Sequence, residues 1–310
     1  MDAVIEVQSI SKRFKEVLAV DDLSFTVNRG EVYGFLGQNG AGKSTTIRML
    51  LTLITPTSGT IHLFGKNLYH HRKQLLARTG AIIEKPDLYK YLTAFQNLKI
   101  MARLSAIQAD EKELLRQLER VGIADRAHSK VKTYSQGMKQ RLGIACALIH
   151  EPELIILDEP TNGLDPQGIA DVRNLILHLS KNEKKTVVVS SHILSEIELI
   201  ADSMLIIDKG RKVAEGKVSD LLNPANTMVE IETEDNEATV LHLQVTQWAS
   251  QLQQANNKLL LRMHKKEIPL LIRELTDRGI SILAVQPKHT LEDYFLSLTT
   301  SNQHVAAYQY

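Results

Sequence analysis

The chain has 310 residues, enough for about two domains at roughly 150 residues each, and its 43% hydrophobic content fills an ordinary core and excludes a disordered or collagen-like chain. One cysteine, Cys146, excludes an intrachain disulfide and any C-x-x-C metal site. The 37 Lys+Arg against 36 Asp+Glu give a net charge of +1, and only 5% of residues are aromatic, so neither a general polyanion-binding face nor a base-stacking platform is expected.

Asp2 and Glu6 stand where an export signal needs positive charge followed by an apolar stretch, and nowhere do 18 apolar residues run together. These features predict a soluble, cytosolic chain. Up to about residue 222, apolar runs bounded by glycine alternate with helical periodicity, as expected when helices cover a largely parallel sheet. Residues 31–36 read as a strand that breaks at Gly37, and the apolar spacing after the glycine-rich turn predicts a helix running to Thr55 and Pro56. Residues 60–64 are a short strand, and another ends at 82–84. Thr93 with Gln96, and Asp110 with Glu113, fit capping boxes. The helices they start carry Leu98, Met101 and Leu104 on one face and Leu114, Leu115, Leu118 and Val121 on another.

Ser135 is placed to cap a helix running to Ile149, followed by a fully apolar strand, 154–158. Asp165 and Pro166 start a further helix, 186–191 and 203–208 are strands, and Asp208 to Gly210 is a hairpin turn. Near Asn223 and Pro224 the pattern breaks, so a domain of residues 1–222, with a helical subdomain at about 90–150, is expected before a small α+β domain, 226–310. That second region carries 7 basic and 10 acidic residues. Its three strands alternate with two helical stretches, and an amphipathic segment, 291–298, is expected to pack on it.

Gly37-Gln38-Asn39-Gly40-Ala41-Gly42-Lys43-Ser44 matches the phosphate-binding loop G-x-x-x-x-G-K-[ST], with Thr45 next, between a strand and a helix as the motif requires. Glycines let backbone N–H groups face phosphates at a helix N-terminus, and Lys43 adds a positive charge for the β- and γ-phosphates. Ser44 is the expected Mg²⁺ ligand. Asp158 and Glu159 close a neighbouring strand; Asp158 would hold magnesium, and Glu159, one residue farther out, would act as general base on water. The expected reaction is hydrolysis of a nucleoside triphosphate.

Four further segments, in order over about 220 residues, make the chain resemble the ATP-binding cassette (ABC) ATPases. Tyr134-Ser135-Gln136-Gly137-Met138 resembles the family signature, whose usual form is Leu-Ser-Gly-Gly-Gln. Asn162-Gly163-Leu164-Asp165 resembles the D-loop, Ser190-Ser191-His192 the switch-histidine loop, and Phe14 the aromatic that stacks on adenine. Taken singly each is weak. The resemblance implies an α/β phosphate-loop NTPase with a RecA-like core and helical subdomain. It further implies ATP and Mg²⁺ as cofactors and a head-to-tail dimer, homo- or heteromeric, in which Ser135 and Gly137 of one cassette meet the ATP of the other. His192 would then sense the γ-phosphate and Asp165 would belong to the nucleotide site.

Glu84 stands where most cassettes carry a glutamine that touches the magnesium site and reports to the membrane partner. With the Leu-Thr-Ala-x-x-Asn-Leu pattern after it and the ending at 291–299, it resembles the subgroup serving bacitracin and lantibiotic exporters. Such cassettes pair with a multi-span membrane subunit on the cytoplasmic face and give resistance or immunity. A soluble cassette acting on nucleic acid or ribosomes is the alternative, but there is neither a heptad run nor a second phosphate loop. A GTPase or small-molecule kinase would leave the signature unexplained, and no nucleic-acid partner is expected.

Overall fold

The computed structural model describes residues 2–221, 227–255 and 258–288. The chain folds as two compact units, residues 1–217 and 218–310. The sequence-expected boundary at Asn223 and Pro224 and the segment 291–298 lie outside the described residues.

The first unit starts with β1 (Ala3–Phe14) and β2 (Val17–Asn28), then β3 (Val32–Leu36), α1 (Lys43–Leu50), β4 (Ser58–Leu63), β5 (Lys66–Asn67), α2 (Arg72–Leu76) and β6 (Thr79–Ile82). Three helices follow: α3 (Ala94–Leu104), α4 (Glu111–Arg120) and α5 (Gln136–Leu148). The unit closes with β7 (Leu154–Asp158), α6 (Pro166–Lys181), β8 (Thr186–Ser191), α7 (Leu194–Glu198), β9 (Ser203–Asp208) and β10 (Arg211–Lys217).

Two sheets result. One, of order β2-β1-β4-β5, is antiparallel; the other, of order β10-β9-β3-β8-β7-β6, is parallel except for the β9–β10 hairpin. β3, β7 and β8 are buried at every residue, as parallel strands covered on both faces must be. Side by side in the middle of the sheet, they bring the residues at their C-terminal ends, 36, 158 and 191, to one rim. A shared core runs from Val4, Ile10 and Phe25 to Ile47, Ile156 and Val188.

Both capping boxes form, with Thr93 and Asp110 accepting from the N–H groups of Gln96 and Glu113. The face that α3 buries is Ala94, Asn97, Leu98 and Ala102; Leu104, expected inside, is 73% exposed because the helix ends there. α1 also ends early. Thr52 turns left-handed at φ +56°, and the Tyr69 hydroxyl donates to the Met49 and Ile54 carbonyls, binding the end of the helix to the chain beyond it. On α5, Gly143 leaves room for Pro86, whose ring a Cβ would meet at 2.5 Å; on β3, Gly34 lets α7 approach until a Cβ would lie 2.3 Å from Ile197.

In the second unit, after α8 (Val218–Leu221), come β11 (Thr227–Thr233), α9 (Asn236–Gln244), β12 (Leu252–Ala255), β13 (Lys258–Met263), α10 (Ile268–Asp277) and β14 (Ile282–Lys288). The sheet, β12-β13-β11-β14, is antiparallel throughout, a split β-α-β arrangement. Val229, Ile231, Leu259, Leu261, Leu271 and Leu275 fill its core, and the buried Trp248 indole donates to Glu274 at 2.8 Å. β12 was not expected from the sequence. No helix among the described residues is long and apolar enough to cross a membrane.

Candidate functional site

The phosphate-loop residues join β3 to α1. Gly42, at φ +107°, packs so close to Ala19 that a Cβ would sit 2.7 Å from its carbonyl oxygen, and Gly40 also needs positive φ, at +82°. Gly37 is equally confined, 2.7 Å from the Ile207 carbonyl by the same measure. Asn39 and Gly40 are exposed, Ala41 is buried, and Ser44 and Thr45 are half-buried. No side chain caps α1, so the N–H groups of its first turn stay available to an anion.

Lys43 is only 5% exposed. Its ammonium donates to the Gly37 carbonyl at 2.6 Å and the Gln38 carbonyl at 3.2 Å, and lies 3.1 Å from Glu159 Oε1. The other oxygen of Glu159 is 2.6 Å from His192 Nδ1. An ionised carboxylate carries no proton, so Nδ1–H is the donor and Nε2 is left over for a second partner. Glu159 itself is held at φ +50°, an unfavourable conformation for a non-glycine residue that turns the chain sharply out of β7. The structure thus brings together Lys43, Glu159 and His192 from the ends of three elements.

Asp158 is fully buried. One oxygen accepts the Ser190 hydroxyl at 2.5 Å, and the other, Oδ2, has no hydrogen-bond partner. A buried carboxylate oxygen left unsatisfied is costly unless a cation takes it. Asp158 and Ser44 line one cleft of about 890 Å³ together with Glu84, Glu159 and Gln136. Among the described residues no group of three or more His, Cys, Asp or Glu side chains converges on a point. The unpartnered Asp158 oxygen and the Ser44 hydroxyl are hard oxygen donors of the kind that fit Mg²⁺, which keeps water and substrate phosphates in its shell.

Other candidates lie around this centre. Glu84 follows β6 with φ +58°, 65% exposed, and its carboxylate is 2.6 Å from Arg48 on α1. Phe14, at the end of β1, leaves 44% of its surface exposed, with the Lys12 ammonium 5.0 Å from its ring centre. Ser135 caps α5 by accepting the Met138 N–H, and Gly137 in its first turn packs on Gly168 of α6. Asp165 caps α6, accepting the Gly168 N–H at 2.9 Å.

The sequence places Ser190 in the switch-histidine loop with no task of its own, yet its hydroxyl accepts the Glu159 N–H at 2.9 Å while donating to Asp158. A serine at the end of an otherwise apolar strand was the available signal. Neither Arg48 nor Glu196 was singled out.

Against known proteins, the family model described as ABC transporter matches residues 20–162. The bacitracin transport ATP-binding protein BcrA of Bacillus licheniformis is 41% identical over 300 residues, covering 96% of this chain and 98% of its own. The lantibiotic transport ATP-binding protein SrtF of Streptococcus pyogenes is 40% identical over 212 residues, 68% of this chain and 90% of its own. A solved structure of an ATP binding subunit of an ABC transporter superposes with a TM-score of 0.62 at 34% identity, covering 70% of this chain and 91% of that one.

Proposed function

We infer that this chain, which belongs to the ABC transporter ATP-binding proteins, powers a membrane exporter of antimicrobial peptides and so gives resistance or immunity. As a member of that family it binds and hydrolyses ATP and works with the membrane subunits of a transporter. The observation that carries the exporter reading is the likeness to a bacitracin transport protein along 96% of the chain, across both units. A soluble cassette acting on nucleic acid has no such support.

The geometry supports a proposed chemistry for the site. Phe14 offers its exposed ring to adenine. The N–H groups of Asn39, Gly40 and Gly42 to Thr45 surround the phosphates, Gly37 and Ala41 hold the loop in shape through their own N–H bonds to the Ser191 and Gln38 carbonyls, and Lys43 exchanges its two carbonyl partners for the β- and γ-phosphates. Ser44 and the unpartnered Asp158 Oδ2 would hold Mg²⁺, which would supply neutralisation of the phosphate charge. Glu159 takes the proton of the attacking water, and His192, positioned by its hydrogen bond to Glu159, turns Nε2 to the γ-phosphate. Ser135 and Gly137 of a second cassette, the same chain or a related one, close over that phosphate, with Asp165 shaping the neighbouring turn.

Glu84 is proposed as the link to a multi-span subunit at the cytoplasmic face of the membrane. Its exposed pair with Arg48 is weak enough to open, releasing the carboxylate either toward the magnesium or to a basic group on the partner.

The test replaces Glu159 with Gln in the source cells. We expect lower tolerance of bacitracin or lantibiotic peptides, and recovery of a stoichiometric multi-span protein with the tagged variant from membranes solubilised in Mg-ATP. Unchanged tolerance, with ribosomal or DNA-bound partners instead, overturns the exporter reading.

A further inference from the structure

We propose that Glu196 is a positioning residue for hydrolysis, holding the turn that follows the general base in register with the loop that carries the switch histidine. This rests on the hydrolytic roles proposed above for Glu159 and His192. Glu196 lies on α7, one helical turn beyond His192, and points back across the rim of the sheet. One carboxylate oxygen, Oε2, accepts two hydroxyls, from Thr161 at 2.6 Å and from Ser191 at 3.3 Å. Thr161 stands two residues after Glu159, in the turn whose Asn162 N–H donates to the Glu159 carbonyl and whose Leu164 N–H donates to the Thr161 carbonyl. Ser191 stands immediately before His192, and its hydroxyl in turn accepts the Ile193 N–H at 2.9 Å.

The bonds run in one direction. Each hydroxyl donates to Glu196, and the Ser191 oxygen still accepts from the backbone on the far side of His192, so the histidine is bracketed by one hydrogen-bonded serine. On the other side of the same strand end, Ser190 performs the matching task for Asp158 and the Glu159 N–H. Ser190 and Ser191 therefore fasten the histidine loop to the acidic strand at two points, one direct and one through Glu196. Neither Thr161 nor Glu196 belongs to the phosphate loop. Loss of the second point would leave ATP binding in place and let the Glu159–His192 contact wander, and displacements of about 1 Å at a reacting group cost about 100-fold in rate.

A carboxylate with an ordinary surface role would not be placed so. Glu196 is half-buried, and α7 is pressed onto β3 where Gly34 removes the side chain that would collide with Ile197. Because both hydroxyls go to one oxygen, a carboxamide in the same place can accept both. Charge and hydrogen-bond geometry are thereby separable by mutation.

The experiment measures ATP turnover, ATP KM and melting temperature of the full chain carrying Glu196→Ala, Glu196→Gln, Thr161→Val, or Glu196→Ala with Thr161→Val, beside Glu159→Gln. We expect Glu196→Ala to lower kcat about 10- to 100-fold with KM within about 2-fold, Glu196→Gln to restore most of it, and the double variant to be no slower than Glu196→Ala alone. Unchanged kcat in Glu196→Ala while Glu159→Gln is inactive overturns the positioning role alone. So does a Glu196→Gln variant as slow as Glu196→Ala, or a parallel collapse of KM and melting temperature. Turnover retained by Glu159→Gln overturns instead the hydrolytic reading beneath it.

Discussion

Replacing Glu159 with Gln tests stability and chemistry at once. The Lys43 ammonium is 5% exposed and has three oxygen partners: Gly37 O at 2.6 Å, Gln38 O at 3.2 Å and Glu159 Oε1 at 3.1 Å, of which only the last carries charge. Stripping the partner from a buried pair costs about 3–5 kcal/mol when nothing replaces it. Here two carbonyls and the new carboxamide oxygen remain, and Glu159 is 17% exposed, so we expect a loss of about 1–2 kcal/mol in the nucleotide-free protein. At about 2–4 °C per kcal/mol for a domain of this size, melting falls by about 2–8 °C.

Triphosphate supplies the missing negative charge, so the deficit should disappear when ATP binds. The variant is therefore expected to gain more from ATP than the wild type does. With Glu159 in its proposed role of general base, the substitution is expected to slow hydrolysis by about 10²–10⁴-fold. Thermal melts with and without Mg-ATP, followed by single-turnover phosphate release, read both effects. A variant that melts at or above the wild type without nucleotide, with the same ATP-induced shift, refutes the idea that Glu159 is the counter-charge of Lys43.

Replacing Lys43 with Ala removes the buried cation proposed to meet the phosphates, and equilibrium binding should show ATP affinity falling by at least about 10-fold. Glu84→Gln should weaken the Arg48 pair and change transport coupling more than basal ATPase, measured side by side on the assembled transporter; normal transport with altered basal turnover would place Glu84 among the catalytic groups. Glu153 has its carboxyl pulled down to about 2, first by the hydrogen bond from Arg78 and next by that from Arg29. Its folded pKa lies below the unfolded one, so its stabilisation is present above about pH 4.5 and lost as pH falls toward 2. With the carboxylate 41% exposed, screening leaves about 1 kcal/mol, and Glu153→Gln should flatten that part of an acid-unfolding curve.

What the sequence made legible was local. The phosphate loop, both capping boxes, Asp165 before Pro166 and the Lys209–Gly210 turn each depend on residues within a few positions of one another, where spacing and backbone preference coincide. The antiparallel β1–β2 pair went unread because its register shifts at four places, which destroys the alternation a strand would otherwise display. The edge strand β12, Leu-Gln-Gln-Ala, has too little apolar content to announce itself. α1 was read too long because the apolar run continues past Leu50, while the stop comes from Thr52 and from Tyr69, distant in sequence. Within the site, the sequence pattern singles out Lys43, Asp158, Glu159 and His192 as candidates, and the fold brings Lys43, Glu159 and His192 into contact. The pairing of Glu84 with Arg48, 36 residues apart, and the bonds from Ser190 and Glu196 depend on which strand ends become neighbours.

Pro86 seated on Gly143 joins two parts of the molecule that the sequence keeps far apart. The proline follows Glu84 by two residues, and the glycine lies two turns along the helix that Ser135 begins. A ring resting on bare backbone leaves no side chain between them to compress, so a displacement of the segment bearing Glu84 is expected to pass to the helix bearing Ser135. A pull from the membrane partner proposed for Glu84 and the contact proposed between Ser135 and a second cassette's nucleotide would then be one displacement felt at two ends. Lengthening residue 143 by a single methyl would wedge them apart and let each end move without informing the other.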